Sequence, residues 1–320
     1  QSRDTLADII PKIELKVIKE TYFLFCENPF ESNKVDEDYA DEFESAKING
    51  FRTLLFNFDD LTSEFYFKNA TKQIKASENL SNVIYRGWML TPKQYSNLYE
   101  DLLSKNYKLI NNVTEYQNCH YLPDSLEFIE SKTPKSVFEK FENSESIEKL
   151  IEKTKKFGSN SVILKDYVKS EKHDWETACY VSDASNVQNL KNSIENLIRL
   201  RGKYLNEGIV VREFIELNDL TIHSKSGMPL TEEYRLFFFN QKLVEIYDYW
   251  EEGKYDLIKP ETKEFEEIGK NVKSNFFSMD IAREKNGNLI IIELGDGQVA
   301  GLPDKAERNE FYKKLKNYIC

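Results

Sequence analysis

The chain has 320 residues, a net charge of −11, and 40% hydrophobic and 13% aromatic residues, enough apolar material for two or three packed subdomains. The acidic balance argues against a general nucleic-acid binder and leaves open only a local basic groove; no apolar run approaches the ~20 residues of a membrane span, so no membrane partner is expected. Cys26, Cys119, Cys179 and Cys320 are scattered without paired spacing, which fits reduced thiols better than a disulfide framework or a zinc site and, with no apolar leader core among the first residues, gives the expectation of a cytoplasmic protein.

Residues 1–20 read as a helical or loosely attached lead-in, with Ile9, Ile10, Ile13 and Leu15 on a patchy apolar face. Tyr22 to Cys26 is a short apolar strand closed by Asn28-Pro29. Val35 to Asn49 follows as an acid-rich helix ended by Gly50, and Phe51 to Phe56 is the next strand. This β-α-β order predicts a parallel sheet. Asn82 to Trp88 is strand into turn, Thr91-Pro92 starts a helix running to Lys105, Tyr107 to Ile110 is a strand, and Val113 to Cys119 a short helix. An N-terminal α/β domain is expected over residues 21–125.

Residues 124–160 read as mostly helical and polar, with a boundary near Pro134. Ser161 to Lys165 is a strand, Asn186 to Leu205 a helix, and Gly208 to Ile215 a buried strand. Tyr234 to Phe239 and Lys242 to Tyr249 form a hairpin about Asn240-Gln241, and Glu261 to Lys273 is helical. Asn286-Gly287 is a second hairpin signal, between Phe276 to Ile281 and Leu289 to Glu293. Residues 304–319 close the chain as a helix. The fold class expected is α/β followed by α+β.

The second hairpin gathers acids. It sets Asp280 beside Glu293, and the turn Gly295-Asp296-Gly297 adds a third carboxylate. Such a group either repels itself in solvent at a strand edge or holds a cation; hard oxygen ligands suit Mg²⁺ completed by a nucleotide's phosphates. Lys165 leaves an apolar strand, where it either reaches a phosphate or snorkels to water. Beyond it, Lys169, Lys172 and His173 alternate with aromatics in a segment without periodicity, suited to a mobile phosphate-covering loop over residues 166–176 or to a solvated loop. Glu213, Phe214 and Ile215 at a strand end can seat a purine, and Glu216 can take ribose hydroxyls. Arg235, on a buried strand, needs an anion. Arg86 leaves the carboxyl end of an N-terminal strand, where ligands gather in parallel sheets.

The order of lysine strand, basic loop, Glu-Phe-Ile-Glu strand, arginine strand and Asp/Glu hairpin resembles the ATP-grasp superfamily. The strings Tyr85-Arg-Gly-Trp-Met89, Lys165-Asp-Tyr-Val-Lys-Ser170, Ser226-Gly-Met-Pro-Leu230, Glu233-Tyr-Arg-Leu-Phe-Phe238 and Ile292-Glu-Leu-Gly-Asp-Gly-Gln-Val-Ala-Gly-Leu-Pro303 resemble a bacterial and phage clade of amide-bond ligases. The resemblance covers roughly residues 20–303. It implies a two-lobed ATP-grasp domain over 126–320, with a lid lobe over 135–210 and a core lobe over 211–320. It further implies ATP with Lys165, Lys169, Lys172 and Arg235 on phosphate, adenine at the segment after Arg212, and Mg²⁺ on Asp280 and Glu293. Many family members carry Glu-x-Asn where this chain has Glu293-Leu-Gly295, so Asp296 is the expected replacement ligand. The activity implied is carboxylate activation as an acyl phosphate, then coupling to an amine. Arg86 is the expected cation for the substrate carboxylate, with Arg283 behind it. Carboxylate and amine are small molecules or peptides, and the sequence leaves their identity and the oligomeric state open.

Three other readings stand beside this one. Lys165-Asp-Tyr-Val and Glu207-Gly-Ile-Val-Val-Arg212 loosely match motifs of a covalent nucleotidyltransferase such as a polynucleotide ligase. The others are an ATP-grasp kinase and a non-catalytic nucleotide-binding module.

Overall fold

The computed structural model describes residues 20–225 and 227–319. The expected lead-in over residues 1–19, together with Ser226 and Cys320, lies outside the described residues.

The N-terminal part is a parallel sheet of β1 (Thr21–Cys26), β2 (Arg52–Phe56), β3 (Ser81–Arg86) and β4 (Tyr107–Leu109), in the order β2-β1-β3-β4. Its first helix, α1 (Ala40–Ile48), starts later than the sequence predicts, because residues 37–39 form a separate 3₁₀ turn capped by Asp36. A short α2 (Phe58–Thr62) follows β2. α3 (Pro92–Ser104) begins as expected, with Thr91 and Gln94 forming a reciprocal capping box and proline at the first position. α4 (Val113–His120) is capped in the same way by Asn112 and Glu115, and α5 (Leu122–Ile129) follows it at once.

The next unit is a four-stranded antiparallel sheet. β5 (Ser136–Lys140), β6 (Val162–Asp166), β7 (Tyr180–Val181) and β8 (Gly208–Glu213) lie in the order β5-β8-β6-β7, backed by α6 (Ser144–Thr154) and α7 (Val187–Arg201). Its core is its own, built from Ile147, Leu150, Leu164, Leu190, Ile194 and Val211 among others. Residues 124–160 are mostly helical as expected, and β5 is the strand that interrupts them. Of its five residues only Val137 is buried, so period-2 patterning is too short to stand out among the charges.

A small hairpin, β9 (Asp219–Ile222) with β10 (Pro229–Thr231), leads into the third sheet. There β11 (Glu233–Phe239), β12 (Lys242–Asp248), β13 (Phe276–Arg283) and β14 (Leu289–Asp296) run antiparallel in the order β12-β11-β13-β14. The β11–β12 turn places Asn240 and Gln241 both at positive φ, 47° and 59°, the tight hairpin geometry the sequence predicts. α8 (Lys263–Gly269) and α9 (Arg308–Ile319) complete the chain. One face of this third sheet, with Tyr234, Leu236, Phe238, Phe277 and Met279, packs under α4, α5 and α8. On the other face Phe237, Phe239 and Phe276 share a core with Phe23 and Phe25 of β1 and with Phe311 and Tyr312 of α9. The first and third sheets are thus one packed body, and the second sheet joins it with a core of its own.

Candidate functional site

The charged row sits where the second face of the third sheet runs out of aromatics. Strand pairing sets Arg235 opposite Asp280, and Asp280 opposite Glu293, so three neighbouring strands carry one polar row. Directly opposed residues in a sheet share a face, so the sequence-level pairing of Asp280 with Glu293 is seen in the register. Arg235 grips Asp280 with two parallel bonds, Nε to Oδ1 at 2.8 Å and Nη2 to Oδ2 at 2.7 Å. The Tyr249 ring packs on the guanidinium, 4.7 Å from centroid to Cζ. From the second sheet, Lys165 Nζ donates to Glu293 Oε2 at 2.8 Å.

These pairs set the electrostatics. Burial would raise the Glu293 carboxyl, but Lys165, with Lys172 and Arg235 behind it, overrides that and holds it down at about 2. Burial also raises Asp280, and Arg235 opposes the rise. Burial lowers the Lys169 ammonium; Lys165 and Arg201 add to that, while Glu293 and Asp166 oppose it. Lys172 lies close enough for its charge to act on Glu293, Asp280 and Glu233. Lys165 thus touches the Asp280–Glu293 row directly, and the charges of Lys169 and Lys172, on the loop that follows its strand, are coupled to it.

That loop is pinned at its start. Asp166, fully buried, accepts from the backbone of Val168 and Lys169, from Arg201 Nε at 2.8 Å and from Asn206. Arg201 also holds Glu171 at 3.0 Å. The free loop expected over residues 166–176 is thus anchored through Glu171, and only its second half leaves the knot.

The segment after β8 is a crossing between sheets. The Phe214 amide donates to the Ser161 carbonyl just before β6, and Leu217 bridges to Glu284 at the β13–β14 turn. Phe214 closes an aromatic group with Trp175 and Tyr180, whose rings stack at 5.4 Å and 7°. Glu213 ends β8, Ile215 continues the crossing, and the exposed Glu216 carboxylate lies 3.8 Å from Lys285.

Arg212 stands beside this crossing. Its guanidinium reaches the carbonyls of Ile291 and Ile292 on β14 and the Thr133 hydroxyl, and its buried Nε has no partner among the described residues. Lys165 and Arg212 together tie the second sheet to β14, one through Glu293 and one through backbone.

Three sequence-level assignments need correction. Asp296, expected as a third metal ligand, faces away from the row. It pairs in register with Phe277, three residues beyond Glu293 and hence on the opposite face. It accepts from Asn111 Nδ2 at 2.6 Å and from the Gln298 amide at 2.9 Å, and burial pushes its carboxyl up to about 7. Among the described residues, no three His, Cys, Asp or Glu side chains gather to hold an ion. Arg86, expected at the substrate carboxylate, is 1% exposed. It is clamped on Glu42 by two bonds of 2.8 Å and donates to the carbonyls of Gly297 and Ala300. Arg283 pairs with Glu232 at 2.8 Å and caps the Gly287 carbonyl at 3.0 Å, at the turn end of the hairpin.

Sequence reasoning missed Ser278. It faces Gly295 in register and shares the Asp280 face. A Cβ on Gly295 would stand 2.7 Å from Ser278 Oγ, so the room that a side chain at position 295 would need holds a hydroxyl from the facing strand. Alternation from Asp280 to Ser278 was the available signal. The donor set of this row, two carboxylates and a hydroxyl beside three lysines and an arginine, fits a hard divalent cation carried by a polyphosphate.

A family model for an ATP-grasp domain, the third family of one clade of that superfamily, matches residues 156–315, which is 160 of the 320 residues. Solved structures share the fold at low identity. D-cycloserine synthetase DcsG is 9% identical with a TM-score of 0.57, covering 92% of this chain and 99% of its own. The ATP-grasp ligase PsnB, complexed with precursor peptide and AMPPNP, is 12% identical with a TM-score of 0.55, covering 95% and 99%. D-alanine–D-alanine ligase from Bacillus anthracis, complexed with ATP, is 11% identical with a TM-score of 0.52, covering 94% and 95%. No curated protein matches the sequence.

Proposed function

The chain belongs to this ATP-grasp domain family, and we propose that it is an ATP- and Mg²⁺-dependent ligase that activates a carboxylate as an acyl phosphate and couples it to an amine. The observation that carries this reading is the pair of cation–carboxylate contacts, Lys165 on Glu293 and Arg235 on Asp280, at the junction of the two sheets. Each cation and each carboxylate is ready to exchange its partner. Lys165 and Arg235 would bind phosphate oxygens, and Glu293 and Asp280, with the Ser278 hydroxyl beside them, would hold a divalent cation. When bound, Mg²⁺ neutralises charge on the phosphates and orients them for in-line transfer. That a D-alanine–D-alanine ligase of the same fold is solved with ATP supports ATP as the nucleotide here.

The residues of this chain bind, orient and shield. Lys165, Lys169, Lys172 and Arg235 stabilise the charge that spreads over the transferred phosphoryl group. The crossing from Glu213 to Glu216 seats the base and ribose, with the Phe214–Trp175–Tyr180 group as its apolar wall. An oxygen of the substrate carboxylate attacks the γ-phosphorus, the bond to ADP breaks, and an acyl phosphate forms. The amine then attacks the acyl carbon, phosphate leaves with the former carboxylate oxygen, and the amine gives up a proton. No covalent enzyme intermediate is needed. Lys165 as the cation of an ion pair fits poorly with attack on phosphorus, which weighs against the nucleotidyltransferase.

Mass spectrometry of a cell extract incubated with enzyme, ATP and Mg²⁺ tests this. The expected product has the mass of two substrates less water, with ADP and phosphate released together. A product gaining a phosphoryl group without free phosphate is a kinase outcome. An adenylylated Lys165 overturns the ligase reading, as does ATP binding without turnover.

A further inference from the structure

The three loops that follow β1, β2 and β3 leave the same edge of the parallel sheet, because the strands are parallel and in register up to Cys26–Phe56 and Phe25–Arg86. Each presents large apolar side chains to solvent: Phe30 at 94% exposure, Phe65 at 84% with Tyr66 at 59%, and Trp88 at 40%. The first and third loops are knitted together under these rings. Trp88 Nε1 donates to Asp36 at 3.1 Å, Trp88 packs edge-on to Tyr39 at 5.4 Å, and the Tyr85 hydroxyl donates to the Trp88 carbonyl at 2.6 Å. The first loop is tied to the end of β2 by the Glu27 amide, which donates to the Phe56 carbonyl at 2.8 Å.

The surface also carries a net excess of acids, most of it on the first loop. With Glu27 buried, residues 28–39 carry four acids against Lys34, and residues 57–80 carry four against Lys68, Lys72 and Lys75. Among the described residues these loops hold one internal ion pair, Lys34 with Glu31. Aromatic faces left in water cost free energy, and soluble proteins seldom cluster them without a use. Aromatic rings rimmed by carboxylates are complementary to lysine and arginine, whose charge is attracted both by ring faces and by the acids.

We infer that this three-loop edge docks a lysine- or arginine-bearing peptide segment. The position ties it to the site. Gly87, next to Trp88, donates to the Gln298 carbonyl at 3.3 Å. Arg86 holds the Gly297 and Ala300 carbonyls, and Arg235 of the charged row holds the Gly301 carbonyl at 2.9 Å. A segment lying across the three loops therefore runs toward residues 297–301 and the row beyond them. Docking as such stands on the surface alone; its assignment as the amine acceptor rests on the ligase reading above.

The test is fluorescence anisotropy without ATP, using a peptide of alternating arginine and glycine with a free N-terminus and a C-terminal fluorophore, and its glutamate counterpart. The arginine peptide binds, binding weakens as salt rises, and the glutamate peptide does not bind. Phe65→Ser with Tyr66→Ser weakens binding at least tenfold, as does Glu64→Lys; all three positions are exposed, and thermal melting stays as in the wild type. Equal binding of both peptides, or wild-type affinity in these variants, overturns the proposal. The two readings separate cleanly. Peptide binding that the variants abolish, with no peptide ever ligated, keeps the docking surface and sinks its acceptor role. Coupling of small amines unaffected by the variants, with no peptide bound, keeps the ligase and removes the surface.

Discussion

Glu293 and Asp296 lie three residues apart on β14 and meet opposite fates. Glu293 faces Lys165 and is held down at about 2; Asp296 faces Asn111 and Gln298 and is pushed up to about 7. Loss of water raises both carboxyls, so burial alone does not decide. What decides is that Lys165 touches Glu293 directly, whereas Asp296 is held by the Asn111 and Gln298 amides, with Arg86 acting on it only from farther off. The Glu293 side chain also keeps 38% of its surface open to solvent, whereas Asp296 is wholly enclosed. The same division separates the two buried arginine pairs. Arg235 and Asp280 are partners of matched charge, in a row that three lysines approach. Arg86 and Glu42 are closed off, with backbone carbonyls of residues 297 and 300 and the Tyr312 hydroxyl filling the remaining bonds. On the ligase reading proposed above, the first region exchanges its partners for phosphate and a cation, and the second keeps them.

The largest effect should come from the fixed region. Arg86→Met leaves Glu42 buried without its cation and frees the Gly297 and Ala300 carbonyls. A loss of about 3–5 kcal/mol is expected in urea unfolding; a loss below about 1 kcal/mol would show that Arg86 is no such tether.

Asp296→Asn comes next. Its carboxyl has a folded value of about 7 against an ordinary 3.8, so the unfolded chain gives up the proton first. The contribution of this group to stability is therefore greatest below about pH 4 and is lost as pH rises toward 7. The variant should lose that slope. It should also be weaker at low pH by about 1–3 kcal/mol, because its amide would face the Asn111 amide, whose oxygen already accepts from Asn275 and Phe276. A slope unchanged from wild type would remove Asp296 as its source. Glu293 runs the other way. Its depressed carboxyl stabilises the fold above about pH 4.5, and that contribution fades as pH falls toward 2.

Glu216→Ala should be mildest. Its pair with Lys285 is exposed and long, so stability should change by less than about 1 kcal/mol. If the carboxylate takes ribose hydroxyls, the KM for ATP rises several-fold with kcat little changed. An unchanged KM would place the ribose elsewhere.

Much of this was legible in the chain. The Asp280–Glu293 pairing followed from a hairpin signal and strand alternation, and the parallel sheet from β-α-β order. The Asp296 error was avoidable, since three residues along a strand is an odd step and changes face. Arg86 was not avoidable in that way. Its partner Glu42 sits on a helix 44 positions earlier, and only packing brings the two together. Ser278 was hidden because a serine in an apolar strand reads as filler until the glycine opposite it is seen.

The most direct test of the exchange at the charged row is ATP binding by calorimetry, with and without Mg²⁺, in wild type and Glu293→Gln. The wild type should bind ATP more tightly when Mg²⁺ is present, and the variant should lose that increment while keeping Mg²⁺-free binding through Lys165 and Arg235. A variant that gains from Mg²⁺ as much as the wild type would contradict the account.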